Sequence, residues 1–269
     1  MTIEPFEPNI TPQLDVDQEG HVAIATLNNP ARRNAISVGM WREIQSFAVE
    51  VSADPDIRAV LIRGAGGVFS AGADISGFET ARSSSETARF YDDQLELACA
   101  AVEAIRQPTV AVLEGPVVGA GAALAASCDL RVASDDVFFM VPAARLGLGY
   151  DPRGVARLIK TFGVATTRWL LLTAGRLPVQ RGFAMGAIHE IYDEEEMEEN
   201  LVRLVERLVE NAPLTLAAAK VAIRALADGA EPTLLEEAWR LVEAADASED
   251  YEEGREAFAE KRAPEFQGR

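Results

Sequence analysis

Short apolar runs alternate with segments of helical periodicity through the first two thirds of the chain, and this alternation restricts the fold most. Residues 21–27, 58–62 and 109–113 have the apolar composition of strands. Between the first two runs, Ser37 is a predicted N-cap, and apolar residues then recur every three or four positions until Asp54 and Pro55 end the helix. Strands that alternate with helices predict an α/β fold with a parallel or mixed sheet.

Towards the C-terminus the sequence pattern changes from alternating strands and helices to helices alone. Further elements are predicted as helices at 90–106 and from about 118, strands at 130–133 and 137–140, helices from 152, and a short strand within 187–192. Residues 194–260 are helical in pattern and divide at Pro213, Pro232 and Gly254. We therefore expect an α/β core over residues 1–195 and a helical region over 196–269. The apolar stripes of the last helices either pack on their own domain or close a subunit interface.

Charge and cysteine content restrict the partners and the compartment. The net charge of −18, without a strong basic patch, disfavours nucleic acid and anionic membrane surfaces. The chain of 269 residues has no apolar run long enough to predict a membrane span. Its two cysteines, Cys99 and Cys128, lie in apolar runs and are expected to be buried thiols in a reducing compartment, which favours the cytoplasm. His21 and His189 do not belong to a cluster with metal-ligand spacing, so no metal is expected.

Two small-residue turns, at residues 69–75 and 115–121, each join a strand-like run to a predicted helix. The first amides of a helix have no intrahelical acceptor, and the helix dipole adds partial positive charge at the same end. Such turns attract anionic oxygen atoms. The sequence therefore predicts a site where two turns hold one oxyanion.

Four motifs carry a family resemblance over nearly the whole chain. They lie at residues 29–36, at 69–75, at 115–121 together with 128–131, and at 258–266. In this order and spacing they resemble the enoyl-CoA hydratase/isomerase (crotonase) superfamily. The resemblance implies a spiral of ββα units with a C-terminal helical trimerisation region, a homotrimer or a dimer of trimers, and a role in fatty acid metabolism. It also implies an acyl-CoA thioester as ligand, with coenzyme A arriving as part of the substrate and without a tightly bound cofactor.

The resemblance also implies roles for individual residues. The backbone amides of Ala71 and Ala120 would hold the thioester oxygen, where negative charge develops in an enolate. Asp74 is expected mainly to fix its own loop. The residues expected to contact the coenzyme or the acyl group are Arg32, Arg33, Ala35, Ala73, Asp74, Ile75, Leu146, Tyr150 and Lys261.

The family's working carboxylates are absent, because Ala123 and Ala143 stand at their positions. Hydration needs a base to activate water and an acid to deliver a proton, so ordinary hydratase activity is not expected. Asp151 is the favoured substitute, with a pKa raised by burial beside apolar residues; alternatively it caps the helix that begins at Pro152. Tyr150 either donates a hydrogen bond to the substrate or serves in packing.

Three functions remain open from the sequence. The first is a lyase or isomerase that acts on CoA thioesters through a relocated acid–base group. The second is a catalytically silent acyl-CoA-binding homologue that keeps the oxyanion site. The third is a scaffold or RNA-associated relative, which the acidic charge balance opposes.

Overall fold

A six-stranded sheet forms the centre of the computed structural model, which describes residues 13–74 and 85–269. In spatial order its strands are β1 (Gln13–Glu19), β2 (Val22–Asn28), β3 (Ala59–Gly64), β4 (Thr109–Leu113), β6 (Leu130–Ser134) and β9 (Glu190–Tyr192). Only β1 pairs antiparallel, and the other neighbours are parallel. A smaller sheet contains β5 (Pro116–Val118), β7 (Phe138–Met140) and β8 (Leu177–Pro178). The predicted mixed α/β architecture is confirmed.

Helices cover both faces of the large sheet. In chain order they are α1 (Val38–Ala53), α2 (Ser85–Ala104), α3 (Ala120–Ser127), α4 (Pro152–Thr173), α5 (Val179–Ala184), α6 (Met197–Val209), α7 (Pro213–Ala227), α8 (Pro232–Asp246) and α9 (Glu249–Glu260). On one face the core contains the fully buried Trp41, Phe69 and Phe139. On the other face, Met197 and Leu201 of α6 pack with apolar residues of the strands. Strand β4 lies between the two cores and is buried along its whole length, as the interior strand of a parallel sheet must be.

Local signals fix several helix ends. Ser37 accepts a hydrogen bond from the Met40 amide at 3.2 Å, which confirms the predicted N-cap of α1. Pro213 and Pro232 begin α7 and α8 as expected. The predicted break at Gly254 is wrong, because α9 continues through that residue and begins instead after the N-cap Ser248.

The C-terminal helices leave large apolar side chains exposed in the single chain. Ile223, Leu226, Trp239 and Phe258 are each more than half exposed, whereas Ala238 on the same helix as Trp239 is buried. The apolar side chains of the C-terminal helices are thus partly packed within the chain and partly exposed. Across the described residues, no helix is both long and apolar enough to cross a bilayer.

Candidate active site

The first of the two turns is joined to the strand β5 that leads into the second. The Phe69 amide donates to the Glu114 carbonyl at 2.8 Å, and Ser70 forms a bridge with Val117. The Val118 amide in turn donates to the Ser70 carbonyl at 3.0 Å. These backbone contacts place the two turns side by side.

Hydrogen bonding within the first turn decides which amide faces the site. The Ala71 amide donates to the Arg33 carbonyl at 2.8 Å, so it is already engaged and the prediction of Ala71 as oxyanion donor is not supported. The Gly72 amide donates to Ser70 Oγ at 3.1 Å, and the Asp74 amide donates to a backbone carbonyl at 3.0 Å. Among residues 69–74, Ala73 has the amide for which the described part of the chain offers no acceptor.

The second turn supplies the amide of Ala120, the first residue of α3. Its N-cap, Gly119, has a φ of +52°, a conformation that favours glycine. As the first residue of a helix, Ala120 has no intrahelical acceptor for its N–H. A methyl group built on Gly72 would lie 3.8 Å from the Ala120 nitrogen, so the two turns are in direct contact.

A cavity of about 560 Å³ opens beside both turns. Its walls include ten of the residues singled out from the sequence, namely Arg32, Ala35, Ala71, Ala73, Asp74, Ala120, Ala143, Leu146, Tyr150 and Asp151. Three others, Arg33, Ala123 and Lys261, do not line it in the single chain. Ile75 lies outside the described residues. Chain segments far apart in sequence therefore converge on one space of the size expected for a small-molecule site.

An ion pair marks one side of the cavity. Arg32 Nη1 lies 2.8 Å from Asp74 Oδ1, and about half of the Arg32 side chain remains exposed. Asp74 thus ties its own turn to the preceding loop, as the sequence predicted, while the guanidinium stays accessible to an anionic ligand.

Asp151 lines the cavity, but its pKa is not shifted in the direction predicted from the sequence. Its carboxylate accepts from the Arg153 amide at 2.8 Å as the N-cap of α4, and from the Arg153 guanidinium at 2.7–3.2 Å. Hydrogen bonding to Arg153 lowers the pKa of Asp151, so the expected upward shift by burial is wrong and the capping alternative is confirmed. The carboxylate is ionised throughout the neutral pH range.

The two alanines at the family's carboxylate positions differ in their surroundings. Ala143 is 6% exposed and lines the cavity, whereas Ala123 is 1% exposed and enclosed in the core. Alanine has no ionisable group, so neither position supplies an acid or a base.

A buried ionic cluster beneath the cavity escaped the sequence analysis. Arg157 of α4 binds Glu96 of α2 through two contacts of 3.0 and 3.3 Å, and Glu103 through one of 2.6 Å. Glu96 also lines the cavity. The sequence offered one signal: Glu96 lies three residues before the buried Cys99, on the same helix face, and Arg157 directly precedes the buried Leu158.

The remaining sequence candidates have structural roles. Cys99 and Cys128 are buried, as predicted, and burial raises the pKa of their thiols to about 11 and about 12. His189 accepts from the Arg131 amide at 3.1 Å, and burial lowers its pKa. Neither the thiols nor His189 line the cavity.

The comparisons with known proteins agree with this geometry. A family model described as enoyl-CoA hydratase/isomerase matches residues 17–269. The 2,3-dehydroadipyl-CoA hydratase of Escherichia coli (strain K12) is 30% identical over 257 residues, which are 96% of this chain and 99% of that relative. The crystal structure of an enoyl-CoA hydratase/carnithine racemase from Magnetospirillum magneticum has a TM-score of 0.89 and 31% identity, covering 95% of this chain and 96% of that one. The crystal structure of the enoyl-CoA hydratase from Bacillus anthracis has a TM-score of 0.84 and 26% sequence identity, covering 95% of this chain and 99% of that one. Fold and sequence together confirm the predicted resemblance: the chain belongs to the enoyl-CoA hydratase/isomerase family.

Proposed function

We propose that the cavity binds an acyl-CoA thioester with its carbonyl oxygen between the amides of Ala73 and Ala120. The observation that supports this is the pair of adjacent turns whose amides at these two residues have no acceptor in the described chain. Preorganised amides stabilise the charge that accumulates on a thioester oxygen when carbon α loses a proton. Arg32, with its exposed guanidinium, is suited to a phosphate of the coenzyme.

We further propose an isomerase-type reaction, in which Asp151 takes a proton from the acyl chain and returns it to another carbon. One carboxylate suffices for this reaction, whereas hydration needs an acid and a base that Ala123 and Ala143 do not provide. The low pKa of Asp151 keeps it in the basic form, so the rate should stay constant as the pH falls from 8 to 5. Protonation, and loss of activity, begin only as the pH approaches the ordinary aspartate value of about 3.9.

One observation favours a second candidate, which is binding without turnover. The hydrogen bonds from the Arg153 backbone and side chain engage both oxygens of Asp151. A carboxylate that must leave these partners to accept a proton is a weak base.

Turnover and binding assays distinguish the two candidates. Purified protein is tested for crotonyl-CoA hydration, for positional isomerisation of 3-enoyl-CoA esters, and for acyl-CoA affinity by calorimetry. Isomerisation that falls at least about tenfold in Asp151→Asn, with unchanged affinity, supports the isomerase. Asparagine also caps helices well, so this variant is expected to fold. Affinity without turnover of any ester supports the second candidate, and absence of binding refutes both.

The assembly is a separate proposal. The exposed apolar side chains of α7, α8 and α9 support a homotrimer or a dimer of trimers. Light scattering coupled to gel filtration tests it, and a monomer at micromolar concentration would refute it.

A further inference from the structure

Two polar side chains lie side by side in the wall of the cavity, which also contains many apolar residues. Glu96 of α2 and Tyr150, just before α4, meet over Gly154. A methyl group built on Gly154 would lie 2.9 Å from Tyr150 Cε1 and 3.2 Å from Glu96 Oε1. The missing side chain at residue 154 therefore lets the phenol ring and the carboxylate approach each other. We call Glu96 and Tyr150 the polar floor.

Arg157 fixes the carboxylate of the polar floor. The side chains of Arg157 and Glu96 are only 6% and 5% exposed, and the guanidinium contacts both Glu96 oxygens as well as Glu103. Two carboxylates share one guanidinium, so the cluster carries an excess of negative charge beside the cavity. A carboxylate oxygen can accept more than one hydrogen bond, so Glu96 retains accepting capacity.

Tyr150 supplies a hydroxyl group to the polar floor. Within residues 13–74 and 85–269 this hydroxyl makes no hydrogen bond, and its oxygen is not sealed inside the protein, since the residue lines the cavity. Burial raises the pKa of Tyr150, so the phenol is neutral and available as a donor. A donor in such a place loses hydrogen bonding to water whenever a ligand without an acceptor fills the cavity.

We propose that the polar floor selects acyl chains whose far end carries a hydroxyl group. This proposal rests on the proposed acyl-CoA function and names the substrate class of the same cavity. A hydroxyl accepts from Tyr150 and donates to Glu96, which satisfies both groups at once. A methyl end satisfies neither, and a carboxylate end meets the negative charge of Glu96. An ammonium end pairs with Glu96 but leaves the Tyr150 proton without an acceptor.

Calorimetry with matched CoA esters tests this selection. Saturated esters of four to eight carbons, each ending in methyl, hydroxyl, carboxylate or amine, are titrated into the full-length protein. At the chain length that reaches the floor, we expect the hydroxy ester to bind at least about tenfold more tightly than the methyl ester, because a site built to hydrogen-bond a hydroxyl rejects the analogue without it. Tyr150→Phe should reduce this ratio to below twofold and leave affinity for the methyl ester unchanged or higher.

Tyr251→Phe is the matched control, because Tyr251 is an exposed residue of α9 outside the cavity. It should retain the full preference for the hydroxy ester. Equal or tighter binding of the methyl, carboxylate or amine esters at every length would overturn the proposed selection while leaving the acyl-CoA function intact. A preference that survives in Tyr150→Phe would overturn it as well. Failure of every ester to bind would refute the acyl-CoA function itself.

Discussion

Replacing Gly72 by alanine should separate the two turns that carry the amides of the site. Gly72 has a φ of +107°, and a methyl group there would lie 2.9 Å from the Val118 carbonyl oxygen. The unfavourable backbone conformation costs about 1–3 kcal/mol, and relieving the overlap costs about another 1–3 kcal/mol. We therefore expect Gly72→Ala to lower the free energy of unfolding by about 2–6 kcal/mol and still to fold.

Gly66→Ala is the matched control. Gly66 also has a positive φ, of +67°, but a methyl group there would meet no atom within 4 Å. This variant should lose only the conformational part, about 1–2 kcal/mol, in urea denaturation followed by circular dichroism.

Ligand affinity then reports on the turns themselves. The ratio of affinities for an acyl-CoA thioester and for the corresponding thioether, which lacks the carbonyl oxygen, isolates the contribution of the two amides. Donors act at 2.7–3.1 Å, so a shift of a few tenths of an ångström should reduce this ratio about tenfold in Gly72→Ala, whereas Gly66→Ala should keep it. If both variants have equal stability and the same ratio as the wild type, the assignment of the site to these turns is wrong.

Three further predictions concern buried groups. Arg157→Met leaves two carboxylates without their cation and should cost about 3–5 kcal/mol in urea denaturation; a loss below 1 kcal/mol would contradict the geometry. Because burial raises the pKa of the Cys99 and Cys128 thiols to about 11 and about 12, neither should react with a disulfide reagent at pH 8 until urea is added, and rapid labelling of native protein would disprove their enclosure. Ala143→Glu should fold because its side chain enters the cavity, whereas Ala123→Glu should be destabilised by at least about 2 kcal/mol by burying a carboxyl group; equal melting temperatures would contradict this difference.

The interior elements of the fold could be predicted because their local pattern and their burial agree. The run at residues 109–113 is apolar throughout, and it forms the fully buried β4. Strand β1 was not predicted, because it lies at the exposed edge of the sheet and its few apolar residues alternate with acidic and polar ones. Glycine is a poor helix former, which predicts a break at Gly254, yet the helix continues through that residue beside Phe266.

The site was predictable at the level of turns but not of single atoms. Which amide of the first turn is left without an acceptor depends on pairing with residues 33–36, so Ala73 rather than Ala71 remains available, and the sequence does not specify that register. The N-cap at Asp151 was predictable from the Pro152 that follows it, but the low pKa of Asp151 follows mainly from the Arg153 side chain, which the capping alternative did not include. The ion pair between Glu96 and Arg157 joins two helices, so the local sequence pattern of either helix could not predict it.

The pairing of Ser70 with Val117 makes the ligand site a property of the whole fold, because the two amide-bearing turns adjoin only after distant strands have associated. Under the proposed function, a partly folded chain offers acyl-CoA nothing to bind, so the ligand stabilises the native state alone. At a concentration one hundred times the dissociation constant it adds about 2.7 kcal/mol. Supply of the thioester would then govern resistance to proteolysis, and the amount of protein in the cell would follow the availability of its own ligand.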